Sequence, residues 1–171
     1  MAASDSAQKF HASFLSLGTN LGDKDSNLRH ALALLAGVAE ICIVKVSSIY
    51  RSAPQLFTEQ EDFLNCACEI KTSLTPIQLL ELCKSMETSL GRQPTFRYGP
   101  RLIDIDILLF DDLEFATPQL LIPHPELVRR NFVLTPLHEI APHLRIFGQS
   151  ITHWLDLCKD QRLSPHEIND A

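Results

Sequence analysis

The sequence predicts an α+β fold. Its βαββαβ order of elements suits a ferredoxin-like sandwich, a mostly antiparallel sheet with helices packed on one face. Three observations predict it. Residues 12–17, 39–50, 63–71 and 104–110 read as strands rich in Ile, Val, Leu, Phe or alternating small residues. Two stretches of helical spacing fall after the first and third of these. The chain has 171 residues, enough for one domain with a sizeable core.

Each element has local reasons. After the first strand, Gly18, Asn20, Gly22 and Asp23 form a turn-rich loop. The helix over residues 26–36 carries Leu28, Leu32 and Leu35 as its apolar stripe, and Gly37 stops it. Residues 39–50 read as one long strand, broken by Arg51-Ser52-Ala53-Pro54. In the strand over residues 63–71, Leu64, Cys66, Cys68 and Ile70 share the core face, with Phe63, Asn65 and Ala67 opposite. The next helix has Thr75 as N-cap, Pro76 in its first turn and Gln78 completing a capping box. Leu79, Leu82, Cys83, Met86 and Leu90 line its buried side, and Gly91 ends it. A polar loop over residues 92–99 leads into the last core strand. Asp111-Asp112 makes a turn, and residues 113–115 and 120–122 pair as a small hairpin. Pro123-His124-Pro125 opens a short helix through Arg130, residues 132–137 read as loop, and residues 151–158 as a last helix. Residues 1–11 read as a flexible extension and 12–171 as a single domain.

The composition excludes several classes of protein. A net charge of −6 argues against general nucleic-acid binding. No apolar stretch is long enough to span a bilayer, and residues 1–11 lack the apolar segment of a secretory signal. Five scattered cysteines, with no second ligand pair beside Cys66 and Cys68, read as reduced core residues of a cytoplasmic protein.

The chemistry concentrates where loop meets strand. Asp104 and Asp106 alternate with Ile103, Ile105 and Ile107. In an extended chain both carboxylates leave one face, with Cβ atoms roughly 6–7 Å apart. That spacing suits a pair of Mg²⁺ ions about 3.5–4 Å apart. The alternative is a half-exposed edge strand whose aspartates face water. The aspartate face continues as Leu108 and Phe110, which favours a site at one end of a buried strand. Arg92, Arg97, Arg101, Arg129 and Arg130 supply a local cluster for an anionic ligand. His124, held between two prolines, reads as a phosphate contact or proton shuttle, or as a histidine capping a helix. Phe132 is a stacking ring or ordinary core. Phe63 and Asn65 either recognise a flat heterocycle or sit at a strand edge. Gly18-Thr19-Asn20-Leu21-Gly22 lacks the Lys and Ser/Thr of a P-loop.

Taken together, these pieces resemble the 6-hydroxymethyl-7,8-dihydropterin pyrophosphokinases of folate biosynthesis. The matching segments are Gly18-Thr19-Asn20-Leu21, Tyr50-Arg51-Ser52-Ala53-Pro54, Phe63-Leu64-Asn65, Gly91-Arg92, Tyr98-Gly99-Pro100-Arg101-Leu102-Ile103-Asp104-Ile105-Asp106, Pro123-His124-Pro125, Arg130-Asn131-Phe132 and Pro136-Leu137-His138-Glu139-Ile140-Ala141-Pro142. The resemblance implies transfer of pyrophosphate from ATP to the pterin's hydroxymethyl group, releasing AMP. It implies that Asp104 and Asp106 hold two Mg²⁺ ions, and that Arg92 and Arg101 hold phosphates and stabilise charge. Arg97, Tyr98, His124 and Arg130 would contact ATP. Asn65 would read the pterin between Phe63 and Phe132, with Ser52, Ala53 and Pro54 alongside. A monomer acting in the cytoplasm is implied. Tyr98 stands where the family often has tryptophan, Phe63 where tyrosine is common, and Ser52-Ala53 for Thr-Pro; the loop from Arg92 to Arg97 is slightly short and contains Pro94. The rival readings are another Mg²⁺-dependent phosphate enzyme, such as a nuclease, and a ferredoxin-like module that binds without turnover.

Overall fold

A computed structural model describes residues 9–167. The sheet is built around β1 (His11–Thr19) and the long strand that pairs with it. After β1 come helix α1 (Lys24–Ala36), strands β2 (Ile41–Val46) and β3 (Tyr50–Ser52), β4 (Phe63–Thr72), helix α2 (Pro76–Ser89) and β5 (Asp104–Phe110). β4 lies antiparallel to β1, and β5 is antiparallel to β1 on its other side. β2 and β3 share the remaining edge of β4. The core order β2-β4-β1-β5 is the arrangement expected of a βαββαβ sandwich.

The long strand expected over residues 39–50 is two strands. Ser47 causes the break: its N–H donates to the Ala67 carbonyl and its hydroxyl accepts from the Ala67 N–H, both at 2.9 Å. A serine hydroxyl thus takes the place of a ladder partner. β2 is left beside the C-terminal half of β4 and β3 beside its N-terminal half. Glu139 fixes the join, accepting from the Ser48 N–H, the Ser48 hydroxyl and the Tyr50 hydroxyl.

Helices cover both faces, not one. α1 and α2 bury Leu28, Leu35, Leu79 and Cys83 against Leu15, Leu17, Cys66 and Ile105. The capping box of Thr75 and Gln78 forms as expected. On the other face lies α3 (Asn131–Ile140), preceded by a 3-10 turn at Leu127–Arg129 and followed by α4 (Ile151–Leu157). Between β5 and that turn, β6 (Phe115–Ala116) and β7 (Leu121–Ile122) form the small hairpin. Between α3 and α4, β8 (Arg145–Ile146) and β9 (Gln149–Ser150) form another, and β10 (Leu163–Pro165) adds to the edge of β3.

Further expectations are corrected. Residues 132–137 are helix, not loop. Val133, Leu134, Leu137 and Ile140 recur on one side, and their burial against the sheet outweighs the hydrogen bond that Pro136 cannot make. The pairing of β5 with β1 shifts register beside Leu15. Leu108 and Leu109 therefore both pack on the α3 side, while Phe110 joins the α1–α2 core rather than the aspartate face. Cys66, Cys68, Cys83 and Cys158 are buried free thiols, but Cys42 is exposed. His11, placed with the extension by the sequence reading, opens β1 and bonds Asp111; the expectation for residues 1–8 lies outside the described residues. Among those described, no helix is long and apolar enough to cross a membrane.

Leu134 is fully buried between α3 and the sheet. Leu134→Ala is expected to lower unfolding free energy by about 2–5 kcal/mol in urea titrations, a loss that a surface loop at this position would not show.

Candidate active site

The cavity of about 270 Å³ opens where β1, β4 and β5 meet the loops at their ends and the N-terminus of α3. β5 delivers Asp104 and Asp106 to it from one face of the strand, as alternation requires. His124 is anchored beside them, because its N–H donates to the Leu108 carbonyl at 2.9 Å.

The two aspartates differ in their partners. Asp104 accepts from Arg92 Nη1 at 2.8 Å and from Arg101 Nη1 at 2.5 Å. Burial opposes its charge, but Arg101 and Arg92 outweigh that and hold the carboxyl below its ordinary range. Asp106 has no ion-pair partner among the described residues. Burial, and then the Asp104 charge beside it, push its carboxyl up to about 6.

Arg92 is held from behind by Glu87, on α2. Arg92 Nη1 donates to Glu87 Oε2 as well as to Asp104. Glu87 also accepts the Ile105 N–H at 2.7 Å, between the two aspartates. Burial, with the Asp104 charge adding to it, holds the Glu87 carboxyl above its ordinary range, although that N–H, Lys84 and Arg92 pull it down in part. The sequence reading did not single out Glu87. Its signal was an acidic residue beside Met86, inside the apolar stripe of α2.

His124 is kept neutral. Burial lowers its pKa, and the Arg130 charge lowers it further. Its Nδ1 accepts the Glu126 N–H at 3.1 Å, so the ring proton resides on Nε2. The Arg130 guanidinium lies 5.8 Å from the centre of the Phe132 ring.

The opposite wall holds Ser52, Ala53, Pro54, Phe63 and Asn65. Asn65 is buried, and its Nδ2 donates to Ser52 Oγ at 2.9 Å and to the Tyr50 carbonyl at 3.4 Å. Its donor is thus partly engaged within the protein. Its Oδ1 stands over Gly18, where an added Cβ would approach to 3.3 Å. Glycine at 18 leaves that oxygen room.

Of the expected site residues, twelve line this cavity: Ser52, Ala53, Pro54, Phe63, Asn65 and Phe132 with Tyr98, Arg101, Asp104, Asp106, His124 and Arg130. Arg92 and Arg97 do not. Arg92 stands behind Asp104, and Arg97 lies outside with its guanidinium 4.9 Å from the Tyr98 ring centre. Gln60 and Asn20 were missed. Gln60 Nε2 donates to the Tyr98 and Phe57 carbonyls, and Asn20 Nδ2 donates to Gln60 Oε1. Asn20 also exchanges two bonds with the Arg101 backbone. These amides tie the loops after β3 and before β5 to the end of β1.

Among the described residues no cluster of three or more His, Cys, Asp or Glu side chains is arranged to hold a metal ion. The donor set at Asp104 and Asp106 is two carboxylates. That set fits Mg²⁺, which commonly takes one or two carboxylates and fills its shell with water and substrate phosphate. The unpaired Asp106 charge is the feature such a cation would neutralise.

Comparison with known proteins shows the family. Residues 14–142 match the family model described as 7,8-dihydro-6-hydroxymethylpterin-pyrophosphokinase (HPPK). The 2-amino-4-hydroxy-6-hydroxymethyldihydropteridine pyrophosphokinase of Bacillus subtilis is 49% identical over 128 residues, covering 75% of this chain and 77% of that protein. The enzyme of that name from Methylorubrum extorquens is 45% identical over 138 residues, covering 81% and 87%. The folic acid synthesis protein FOL1 of Dictyostelium discoideum is 45% identical over 130 residues; the match covers 76% of this chain but 20% of that protein. The fold resembles that of Plasmodium falciparum HPPK-DHPS solved with pteroate, with a TM-score of 0.71 at 16% identity. The match covers 87% of this chain and 42% of that one.

Two variants test the electrostatics. Asp106→Asn is expected to melt higher than the parent at pH 7.5. Ionising a half-buried carboxyl whose folded pKa is about 6 destabilises the fold above that pH. The advantage disappears below about pH 4, where the aspartate is protonated folded and unfolded alike. Glu87→Ala is expected to cost roughly 2–4 kcal/mol in denaturant titration, because it strands the Ile105 N–H and frees Arg92.

Proposed function

The chain belongs to the 7,8-dihydro-6-hydroxymethylpterin-pyrophosphokinase family, and from that premise we propose how its cavity transfers pyrophosphate from ATP to 6-hydroxymethyl-7,8-dihydropterin, releasing AMP. The observation that best supports the assignment is the pairing, in one cavity, of a carboxylate without an ion-pair partner, Asp106, with a wall that carries Phe63, Asn65 and Phe132.

The pterin would lie against Phe63, Phe132 and the backbone of Ser52, Ala53 and Pro54, with Asn65 Oδ1 accepting from its edge. That recognition is more specific than a bare slot, since a buried acceptor left without a donor is costly. The triphosphate would lie toward Arg101, Arg130 and His124. Neutral His124 would donate from Nε2, and the two arginines supply fixed positive charge. Arg92 would contribute from behind Asp104, holding that carboxylate in place. Arg97 and Tyr98 lie on the loop before β5, on the ATP side.

Asp104 and Asp106 would hold Mg²⁺, and two ions are proposed. Bound there, Mg²⁺ offsets phosphate charge. The pterin hydroxymethyl oxygen attacks the β-phosphorus, the bond from that phosphorus to the α–β bridging oxygen breaks, and the hydroxyl proton is released. Such a transfer needs positioning and charge neutralisation more than a protein nucleophile. We further propose a single catalytic domain over residues 12–171, acting as a monomer in the cytoplasm.

Mixing the protein with ATP, Mg²⁺ and the pterin alcohol should yield AMP and the pterin pyrophosphate in equal amounts. ADP as the product would overturn the assignment. Asn65→Ala is expected to raise the pterin KM by about tenfold or more while leaving the ATP KM within about twofold. Equal losses for both substrates would remove Asn65 from pterin recognition.

A further inference from the structure

Behind the cavity, the chain returns after α4 through a segment beyond the residues that match the family model. Gln161 lies there, and every hydrogen-bonding group it carries is used. Its Oε1 accepts from Gln55 Nε2 at 3.0 Å and from the Asn131 N–H at 2.9 Å. Its Nε2 donates to the Arg129 carbonyl at 2.8 Å. Its own carbonyl accepts from Asn131 Nδ2 at 2.6 Å, and its N–H donates to the Cys158 carbonyl at 3.1 Å.

These bonds join the two walls of the cavity from outside. Gln55 follows Ser52, Ala53 and Pro54 on the wall beside β3, and itself lines the cavity. Asn131 opens α3 between Arg130 and Phe132, both of which line the other wall. The N-cap of α3, Arg130, makes no side-chain capping bond. Gln161 supplies that acceptor from elsewhere in the chain, satisfying the first N–H of the helix. The following residues pair with β3, Leu163 opposite Ser52, so the strap is anchored on both sides.

We propose that Gln161 is a positioning residue for the pterin half of the site. It holds the Ser52–Gln55 wall at a fixed separation from Phe132, so that the slot is formed before the ligand arrives. This inference rests on the pterin pyrophosphokinase reading above. Gln161 touches no reacting group, and its effect falls on pterin affinity rather than on the chemical step.

The test uses the full chain and two variants. Gln161→Met keeps the side-chain length but removes the amide; Gln161→Glu keeps an acceptor for Gln55 and Asn131. Steady-state AMP release is measured while each substrate is varied in turn, and melting temperatures are recorded alongside. Gln161→Met is expected to raise the pterin KM about tenfold, with kcat and the ATP KM within about twofold of the parent. Gln161→Glu should recover most of that pterin KM. A pterin KM unchanged in Gln161→Met overturns the proposal. So does a loss shared equally by ATP and pterin, or one that Gln161→Glu fails to recover, because either outcome marks a merely structural residue. A parent protein that releases no AMP would defeat the underlying reading of the reaction instead.

Discussion

Two like charges on one face at the start of β5 are the constraint that the site is organised around. The strand runs between two apolar layers, and both carboxylates sit half-buried on the cavity wall, where their charge is only partly solvated. The protein handles the two differently. Asp104 is clasped by Arg92 and Arg101 and stays ionised. Asp106 is given no cation and is raised toward neutrality. A half-buried charge left unpaired is a standing cost to the fold, tolerated where a ligand removes it. The same asymmetry explains Glu87. Without a second carboxylate behind it, Arg92 would be free to turn to any anion that entered. With it, Arg92 is fixed, and the positive charge open to the cavity falls to Arg101 and Arg130.

The sheet explains why these groups meet. β4 is long enough for β2 and β3 to share one edge. The break between them at Ser47 places β3 level with the first residues of β4. Ser52 therefore pairs with Phe63, and Tyr50 with Asn65. The wall of the slot is thus set by strand register, where a slip of one residue would turn Asn65 away from the cavity. The facing wall is helical. α3 reaches the sheet through Leu134 and Leu137, and its first turn presents Phe132. Core packing and site geometry are carried by the same two elements.

Much of this was legible in the sequence. Local rules set α2 and its N-cap, where Thr75, Pro76 and Gln78 form the expected capping box, whereas α1 begins two residues earlier than its apolar stripe suggests, at Lys24 with Asp23 as N-cap. Strict alternation placed Asp104 and Asp106 on one face, and twelve of the expected site residues line one cavity. The failures have physical causes. Pro136 argued for a loop at residues 132–137, but a single missing hydrogen bond is a smaller effect than a buried stripe of four apolar side chains. Strict alternation puts Phe110 on the aspartate face, and the bulge in β5 that turns it away leaves no local trace in the sequence. Asn20, Gln60 and Gln161 act through partners far away in the chain, and Glu87 through the loop and strand that follow its helix; no periodicity reports such pairings. Arg92 and Arg97 looked like Arg101 by type and neighbourhood. Only the fold separates the arginine that backs an aspartate, the one stacked outside on Tyr98 and the one that faces the cavity.

His124 shows how far the surroundings decide chemistry that composition leaves open. A histidine between prolines could serve as a cation for phosphate or as a proton carrier. Here burial and the neighbouring Arg130 charge both disfavour the imidazolium, and the Glu126 N–H occupies Nδ1. A neutral ring with its proton on Nε2 is a donor that adds no charge to a corner already served by Arg101 and Arg130. Proton uptake there would have to overcome both desolvation and a like charge. The role open to it is therefore directional: it fixes where an anionic oxygen sits, while the arginines supply the attraction that brings it in.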